Sequence, residues 1–142
     1  GFKELVNFSK LPFEVSLSAL ISARSFAVKQ PETAFKFLRA WVEGIYIFKS
    51  NRELSLGVLR KYTRIEDREL LEDSYNRDRD LIELEPLPSL SAVKSMLGIL
   101  ARSQPEAVNA DPYRFVEMKF MTEMKKGGFF EEMKRQYPSA KN

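Results

Sequence analysis

The sequence predicts a mainly α-helical protein with one or two β-strands near its N-terminus. Residues 13–28 alternate apolar and small polar side chains, as a strand does, whereas apolar residues after Gln30 recur at helical spacing. Prolines and capping residues then divide the later part into separate helices. The chain has 142 residues and is 44% hydrophobic, which is enough for one domain with a buried core. We expect a single domain over 1–142, with strands within 1–28 and helices within 29–142.

The predicted strand lies in "FEVSLSALISARSFAV", after the break that "LPF" makes at residues 11–13. One face is apolar and the other is mostly serine: Val15, Leu17, Ala19 and Ile21 against Ser16, Ser18, Leu20 and Ser22. Ser18, Ser22 and Arg24 bring hydroxyl groups and a guanidinium group to the end of this strand. Ligands often bind at strand ends in α/β proteins. Solvent exposure is the more common reason for such polar positions, and both interpretations remain open.

The first long helix is predicted to begin at Pro31, because the first helical position needs no N–H donor. Its apolar residues recur at steps of four and three and form one stripe: Ala34, Leu38, Trp41, Ile45 and Phe48. Phe35, Phe37, Val42 and Tyr46 widen this stripe. We therefore expect the helix to be buried on more than one side, with Trp41 in the core.

Capping residues predict the helices that follow. Asn51 is expected to cap a helix whose inner face is Leu54, Val58, Leu59 and Tyr62. The next helix is predicted from Glu66 to Asn76, with Leu70, Leu71 and Tyr75 inward. Pro86 and Pro88 then require an extended segment. The remaining helix starts are expected at Ser89, which caps 90–102, and at Asp111-Pro112, which opens a helix that runs to Lys126 and ends at Gly127.

The composition excludes several kinds of chemistry. The chain contains no cysteine and no histidine, so it supplies no thiol nucleophile, thiolate zinc site or histidine base. The acidic residues between Glu66 and Asp80 alternate with arginines, which is typical of a salt-bridged helix face. No spacing fits a calcium loop, so we expect no metal and no cofactor. A net charge of +3 with interspersed signs indicates that nucleic acid is not a partner.

The order of these signals resembles a known family. "LISARSFAVKQPETAFKFLRAWVEGIYIFKSNRE" has a Ser-Ala-Arg strand end, a proline-started helix and an Ala-x-x-x-Gly spacing. "IEDRELLEDSYNRDRDL" is similar to an Asp-x-x-x-Leu-x-x-x-Tyr helix, "PLPSLSAVKSML" to a Pro-Ser helix start, and "FVEMKFMTEMKKGGF" to a closing helix with Gly-Phe. In this order, over about residues 11–130, they resemble the nitrate/sulfonate/taurine-type substrate-binding proteins of ABC transporters, which include binders of thiamine pyrimidine precursors.

The resemblance implies the C-terminal portion of a two-lobed α/β fold of the periplasmic-binding-protein type (type 2). It implies a non-catalytic protein that captures a small solute, anionic or heteroaromatic, and delivers it to a membrane permease. The ligand-binding residues would be Ser18, Ser22 and Arg24, near the hinge between the lobes. The protein would be periplasmic, or extracellular and membrane-anchored, with its signal sequence outside this chain.

Two further expectations follow from the length of the chain. Family members are longer and Gly1 stands at the start, so we expect a fragment of a longer protein. A strand without its neighbours has unpaired edges, and an isolated fragment would satisfy them by forming a homodimer. The alternative function is a helical protein-interaction or regulatory module that only shares the scaffold.

Overall fold

A computed structural model of the protein describes Leu5, Glu14 and residues 19–141. These residues form α-helices and short 3₁₀ helices, with no β-strand among them. The α-helices are α1 (Arg24–Lys29), α2 (Pro31–Ser50), α3 (Arg52–Thr63), α4 (Arg68–Leu81), α5 (Leu90–Leu100), α6 (Lys119–Lys126) and α7 (Phe129–Gln136), and the 3₁₀ helices are Pro105–Asn109 and Pro112–Phe115. The chain divides into two compact units. The first contains Pro88–Met118 and the residues before Ser22, and the second contains Ser22–Leu87 and the residues from Lys119 onward.

The prediction of N-terminal strands in an α/β fold is wrong for the part of the chain that the structure describes. Residues 24–29 form α1, and residues 19–23 join no sheet. A strand needs a neighbouring strand to pair its backbone, whereas α1 satisfies its own backbone groups locally. The N–H of Ala27 donates to the carbonyl of Ala23 at 3.3 Å, and that of Gln30 donates to Phe26 at 2.8 Å. Phe13 and residues 15–18 of the predicted strand lie outside the described residues.

Helix α2 begins at Pro31, as predicted, and buries only part of the expected apolar stripe. Its buried residues are Ala34, Val42, Ile45, Tyr46 and Lys49. Trp41 remains 36% exposed, so its predicted place in the core is wrong. Neighbouring positions on a helix are separated by 100°, and the second unit packs on the side that carries Val42 rather than Trp41. Ala34 and Ile45 of the predicted stripe are therefore buried, together with Val42 and Tyr46 beside them, whereas Trp41 is not.

Side-chain caps begin α3 and α4. The Asn51 side-chain oxygen accepts a hydrogen bond from the N–H of Leu54 at 3.1 Å, which confirms the predicted cap of α3. A carboxylate oxygen of Asp67 accepts from the N–H groups of Glu69 and Leu70, at 2.9 and 3.3 Å. These bonds satisfy N–H groups that a helix start leaves without partners.

Helices α3 and α4 bury a small apolar cluster of Leu56, Leu71 and Tyr75. The ring centroids of Phe48 and Tyr75 are 5.0 Å apart, so α2 also reaches this cluster. Leu70 is exposed, and its predicted inward position is wrong. The inward positions predicted for Leu54, Val58 and Tyr62 of α3 are wrong as well, because these side chains are also exposed. Leu71 and Tyr75 lie on the inner face, as predicted, because four residues correspond to about one turn of the helix.

The larger core of the second unit joins α2 to α6 and α7. It consists of Val42, Ile45, Tyr46, Leu84, Met121, Met124, Phe129, Phe130 and Met133. The turn between α6 and α7 places Gly128 at φ 75°, where glycine is favoured because it has no Cβ. The sequence predicted this role for Gly127, one residue earlier. Phe129 and Phe130 thus begin α7 and enter the core.

In the first unit, α5 packs against both 3₁₀ helices and buries Ala92 and Ala107. The predicted continuous helix from Asp111 to Lys126 is interrupted. Asp111 caps only a short 3₁₀ helix, its carboxylate accepting from the N–H of Tyr113 at 3.0 Å. Val116 is then extended, with φ −121° and ψ 144°. Helix α6 then starts at Lys119.

Candidate functional site

The residues that the resemblance assigns to ligand binding lie at the start of α1. Ala23 is the N-cap residue of this helix, and Ser22 and Arg24 flank it with exposed side chains. The Ser22 hydroxyl donates to the carbonyl of Ala23 at 3.5 Å. Ser18, the third predicted residue, lies outside the described residues.

This arrangement presents a hydroxyl and a guanidinium group two residues apart. A guanidinium group suits pairs of oxygens on a carboxylate, nitrate or sulfonate better than any other side chain, because its N–H donors form a fixed fork. Neither Ser22 nor Arg24 is a base or nucleophile activated by a histidine, since the chain has none. Both groups are hydrogen-bond donors, and an oxyanion accepts from such donors.

A carboxylate–serine cluster, formed by Glu14, Ser89 and Ser91, lies at the start of α5 in the first unit. Ser89 is the predicted N-cap, and its oxygen accepts from the N–H of Ala92 at 3.1 Å. Its hydroxyl also donates to the Glu14 carboxylate at 2.5 Å, and the Ser91 hydroxyl donates to the same oxygen. These two hydrogen bonds, that of Ser89 first, lower the pKa of Glu14. The cluster was not predicted, because 75 residues separate Glu14 from Ser89.

A second charged cluster holds the loop after α4 to α6 and α7. One oxygen of Glu85 accepts from the Lys125 ammonium group at 3.0 Å, and the other accepts from Lys134 at 2.8 Å. Glu85 is only 26% exposed. The hydrogen bond from Lys134, followed by that from Lys125, lowers the pKa of Glu85 below its ordinary value. The three residues form a clamp within the second unit.

The Glu85 clamp gives the first testable prediction. We expect Glu85→Gln to lower the free energy of unfolding by about 0.5–1 kcal/mol at pH 7, because the variant loses two partly exposed ion pairs. The pKa of Glu85 is lower in the folded protein than the value of about 4.5 in the unfolded chain, so its carboxylate stabilises the folded state at pH values above 4.5. This contribution is lost as the pH falls through the folded-state pKa. The difference in free energy of unfolding between wild type and Glu85→Gln, measured by urea unfolding, should therefore become smaller below about pH 4.

The matched control for the clamp is Glu83→Gln, which changes an exposed glutamate in the same loop. Its effect should stay within about 0.5 kcal/mol at pH 7. An equal loss in both variants, or a loss in Glu85→Gln that persists unchanged at acid pH, would contradict the assigned role of Glu85.

Two polar side chains are buried in the second unit without hydrogen-bond partners in the described part of the chain. They are the Tyr46 hydroxyl and the Lys49 ammonium group, one turn apart on α2. Burial raises the pKa of Tyr46 and lowers that of Lys49, although the charge of Asp80 partly opposes the change at Lys49. The sequence gives no signal for this burial, because a lysine at the end of a helix normally reaches solvent.

The remaining sequence interpretations have mixed outcomes. Arg68 and Glu72 form an ion pair at 2.8 Å, so the charged region does form a salt-bridged helix face. Met121 and Met124 lie in the core of the second unit, whereas Met118 is 38% exposed. Residues 19–141, with Leu5 and Glu14, contain no group of three or more acidic side chains placed to hold a metal ion.

Comparison of the chain with protein-family models, with curated proteins and with solved structures finds no match. None of the helices in the described residues combines the length and apolar character that a bilayer span requires.

Proposed function

We propose that this chain belongs to the solute-capture component of an ABC-type uptake system, in which it acts without catalysis. The observation that carries the proposal is the structural role of the motif Asp67-x-x-x-Leu71-x-x-x-Tyr75. Asp67 caps α4, whereas Leu71 and Tyr75 are buried one and two turns further along the same helix. Each of these three residues thus has a structural role in α4, which supports the resemblance at this motif.

The other motifs also coincide with helix boundaries. Pro31 is the first residue of α2, Ser89 caps α5, and Gly128 is the left-handed residue between α6 and α7. This agreement supports the proposal through positions that are separate from the Asp67 motif.

The proposed solute is a small anion or a heteroaromatic molecule with anionic groups. Ser22 and Arg24 supply hydroxyl and guanidinium donors at the start of α1, and such donors bind oxyanions. On this proposal the partner is a membrane permease, and the protein works in the periplasm or at the outer face of a membrane.

A thermal-shift screen tests this proposal. The chain would be heated with a sulfonate, nitrate, an aminopyrimidine and an aromatic acid, each at millimolar concentration. A ligand at 100 times its Kd stabilises the folded state by about 2.7 kcal/mol. We therefore expect one class to raise the Tm by several degrees, and Arg24→Ala to reduce that shift.

The control for the screen is Arg135→Ala, which removes an exposed arginine from α7 and should leave the ligand shift unchanged. Absence of a shift with all four solute classes would contradict the proposal. A shift that Arg135→Ala abolishes and Arg24→Ala preserves would contradict the assigned site.

The second candidate function is a helical interaction module. It is favoured by a set of exposed apolar side chains in the first unit: Met96, Ile99, Leu100, Val108, Tyr113 and Phe115. A concentration of exposed apolar residues is typical of protein–protein contact. A stable complex with another protein that needs no solute would favour this function over solute capture.

A further inference from the structure

Helix α2 buries two polar groups that need a partner from outside the described residues. Tyr46 is 0% exposed and Lys49 is 5% exposed, and neither the Tyr46 hydroxyl nor the Lys49 amino nitrogen has a hydrogen-bond partner within the described part of the chain. Buried polar atoms in folded proteins nearly always have a partner, and where the protein supplies none it is an ordered water molecule or an ion. The two groups therefore point to a ligand inside the second unit.

The positions of the two residues on α2 suit one ligand that both contact. Residues three apart on a helix differ by about 60° around its axis, and their Cβ atoms are about 5–6 Å apart. The two groups do not hydrogen-bond to each other. One water molecule with a normal hydrogen bond to each of two polar atoms holds those atoms about 4.5–5.5 Å apart. Two side chains that leave the helix at this separation can both reach such a molecule.

The surrounding charges decide between water and an anion. Both ligands accept hydrogen bonds from an ammonium group and a hydroxyl. Acidic residues outnumber basic ones among the groups whose charges act on this pair: they are Asp80, Glu83, Glu85 and Glu131, against Arg79 and Lys134. This excess of negative charge disfavours an anion. Burial also lowers the pKa of Lys49, which favours the neutral amine, and a neutral amine needs no counter-ion.

We propose that Tyr46 and Lys49 bind one buried water molecule between them. The water accepts from the Tyr46 hydroxyl and donates to the lone pair of the neutral Lys49 amine. When Lys49 is protonated, the water accepts from its ammonium group instead. The water thus gives both groups the partner that the neighbouring elements do not provide. The site is independent of the proposed function and uses neither Ser22 nor Arg24.

A double-mutant cycle of Tyr46→Phe and Lys49→Met tests whether the two residues share the water. Both replacements keep the approximate size of the side chain and remove its polar atom. In the wild-type background, Tyr46→Phe should shift the unfolding equilibrium towards the unfolded state by about fivefold, because the water loses a partner. In the Lys49→Met background the same change should be neutral or stabilising, since the hydroxyl has already lost the shared water. The cycle cancels the separate effect of removing the buried amine.

Magnetic relaxation dispersion of the water oxygen nuclei counts long-lived buried waters directly. The wild type should hold one more such water than the double variant. The matched controls are Tyr62→Phe and Lys36→Met, which change an exposed tyrosine and an exposed lysine. They should leave the number of buried waters unchanged and should show no coupling with each other. Thermal unfolding of each variant verifies that it is folded.

Three results would overturn the proposal. A coupling between Tyr46→Phe and Lys49→Met of less than about twofold would mean that the two groups do not share a ligand. An equal number of long-lived waters in the wild type and the double variant would mean that no water is bound there. Stabilisation of the wild type by sodium chloride over sodium gluconate at equal ionic strength, absent from Lys49→Met, would place an anion at the site instead.

Discussion

Replacing Phe130 with alanine is expected to lower the free energy of unfolding of this protein by about 3–5 kcal/mol. Phe130 is 0% exposed and lies in the large core of the second unit, 5.8 Å from Phe129 between ring centroids. Removal of the ring loses its transfer free energy and leaves a cavity, which its close-packed neighbours fill only in part. The loss is large compared with the usual stability of a domain.

Urea unfolding measured by circular dichroism tests this expectation. The midpoint for Phe130→Ala should fall without a large change in the m-value, which scales with the surface exposed on unfolding. The matched control is Trp41→Ala, because the sequence alone assigned Trp41 to the core and the structure leaves it 36% exposed. We expect Trp41→Ala to cost about 1–2 kcal/mol. A larger loss from Trp41→Ala than from Phe130→Ala would refute the observed orientation of α2.

The second large effect is a gain of stability. We expect Lys49→Met to raise the free energy of unfolding by about 1–3 kcal/mol at pH 7. Lys49 is 5% exposed, and its ammonium group has no hydrogen-bond partner within the described residues. Methionine has a similar length and flexibility, so it fills the same space without a polar group that needs water.

The gain of stability in Lys49→Met should depend on pH, in a direction set by the pKa of Lys49. Burial lowers its folded-state pKa, so between that value and the unfolded value of about 10.5 the unfolded chain binds more protons. The free energy of unfolding of the wild type therefore increases as the pH rises from the folded-state pKa of Lys49 to its unfolded pKa. The advantage of Lys49→Met should be full below the folded-state pKa and should decrease steadily as the pH approaches 10.5.

Comparison of the two proteins at each pH removes the contributions of other groups, including Tyr46, whose pKa is raised by burial. The control is Lys36→Met, which changes an exposed lysine of the same helix and should move stability by no more than about 0.5 kcal/mol. Destabilisation by Lys49→Met at pH 7, or a gain that does not change with pH, would show that Lys49 is charged and paired in the folded protein.

Much of the helical structure was predictable because its signals are local. Pro31, Asn51 and Ser89 begin their helices as expected, since a missing N–H or a capping oxygen acts within one turn of the backbone. The extended segment around Pro86 and Pro88 follows from the same kind of restriction. These positions need no information from distant parts of the chain.

The wrong predictions concern features that depend on contacts between residues far apart in the chain. The alternation in residues 13–28 is compatible with a strand only if another strand pairs with it, and the described part of the chain supplies none. Trp41 and Leu70 lie beside buried positions on their helices, and the neighbouring elements select which side is covered. Gly128 rather than Gly127 takes the left-handed conformation, in the turn that leads to the buried Phe129 and Phe130.

The candidate sites likewise divide into those that the sequence indicated and those that only the structure revealed. Ser22 and Arg24 were singled out from a short stretch of sequence, and the structure adds that both side chains are exposed at the start of α1. The Glu14–Ser89 and Glu85–Lys134 hydrogen bonds join residues 75 and 49 positions apart. Pairs at such separations leave no pattern in a single sequence, because each residue alone has the character of an ordinary surface side chain.

The amino-acid sequence alone determines where most helices of this protein begin, because caps and prolines act on the adjacent backbone. It also limits the chemistry, because a chain without histidine and cysteine lacks their acid–base and thiolate functions. The tertiary structure decides which face of each helix is buried, whether Lys49 reaches water, and which surface of α3 remains outward. These outcomes depend on packing between residues far apart in the chain, whose contacts form only when the helices come together.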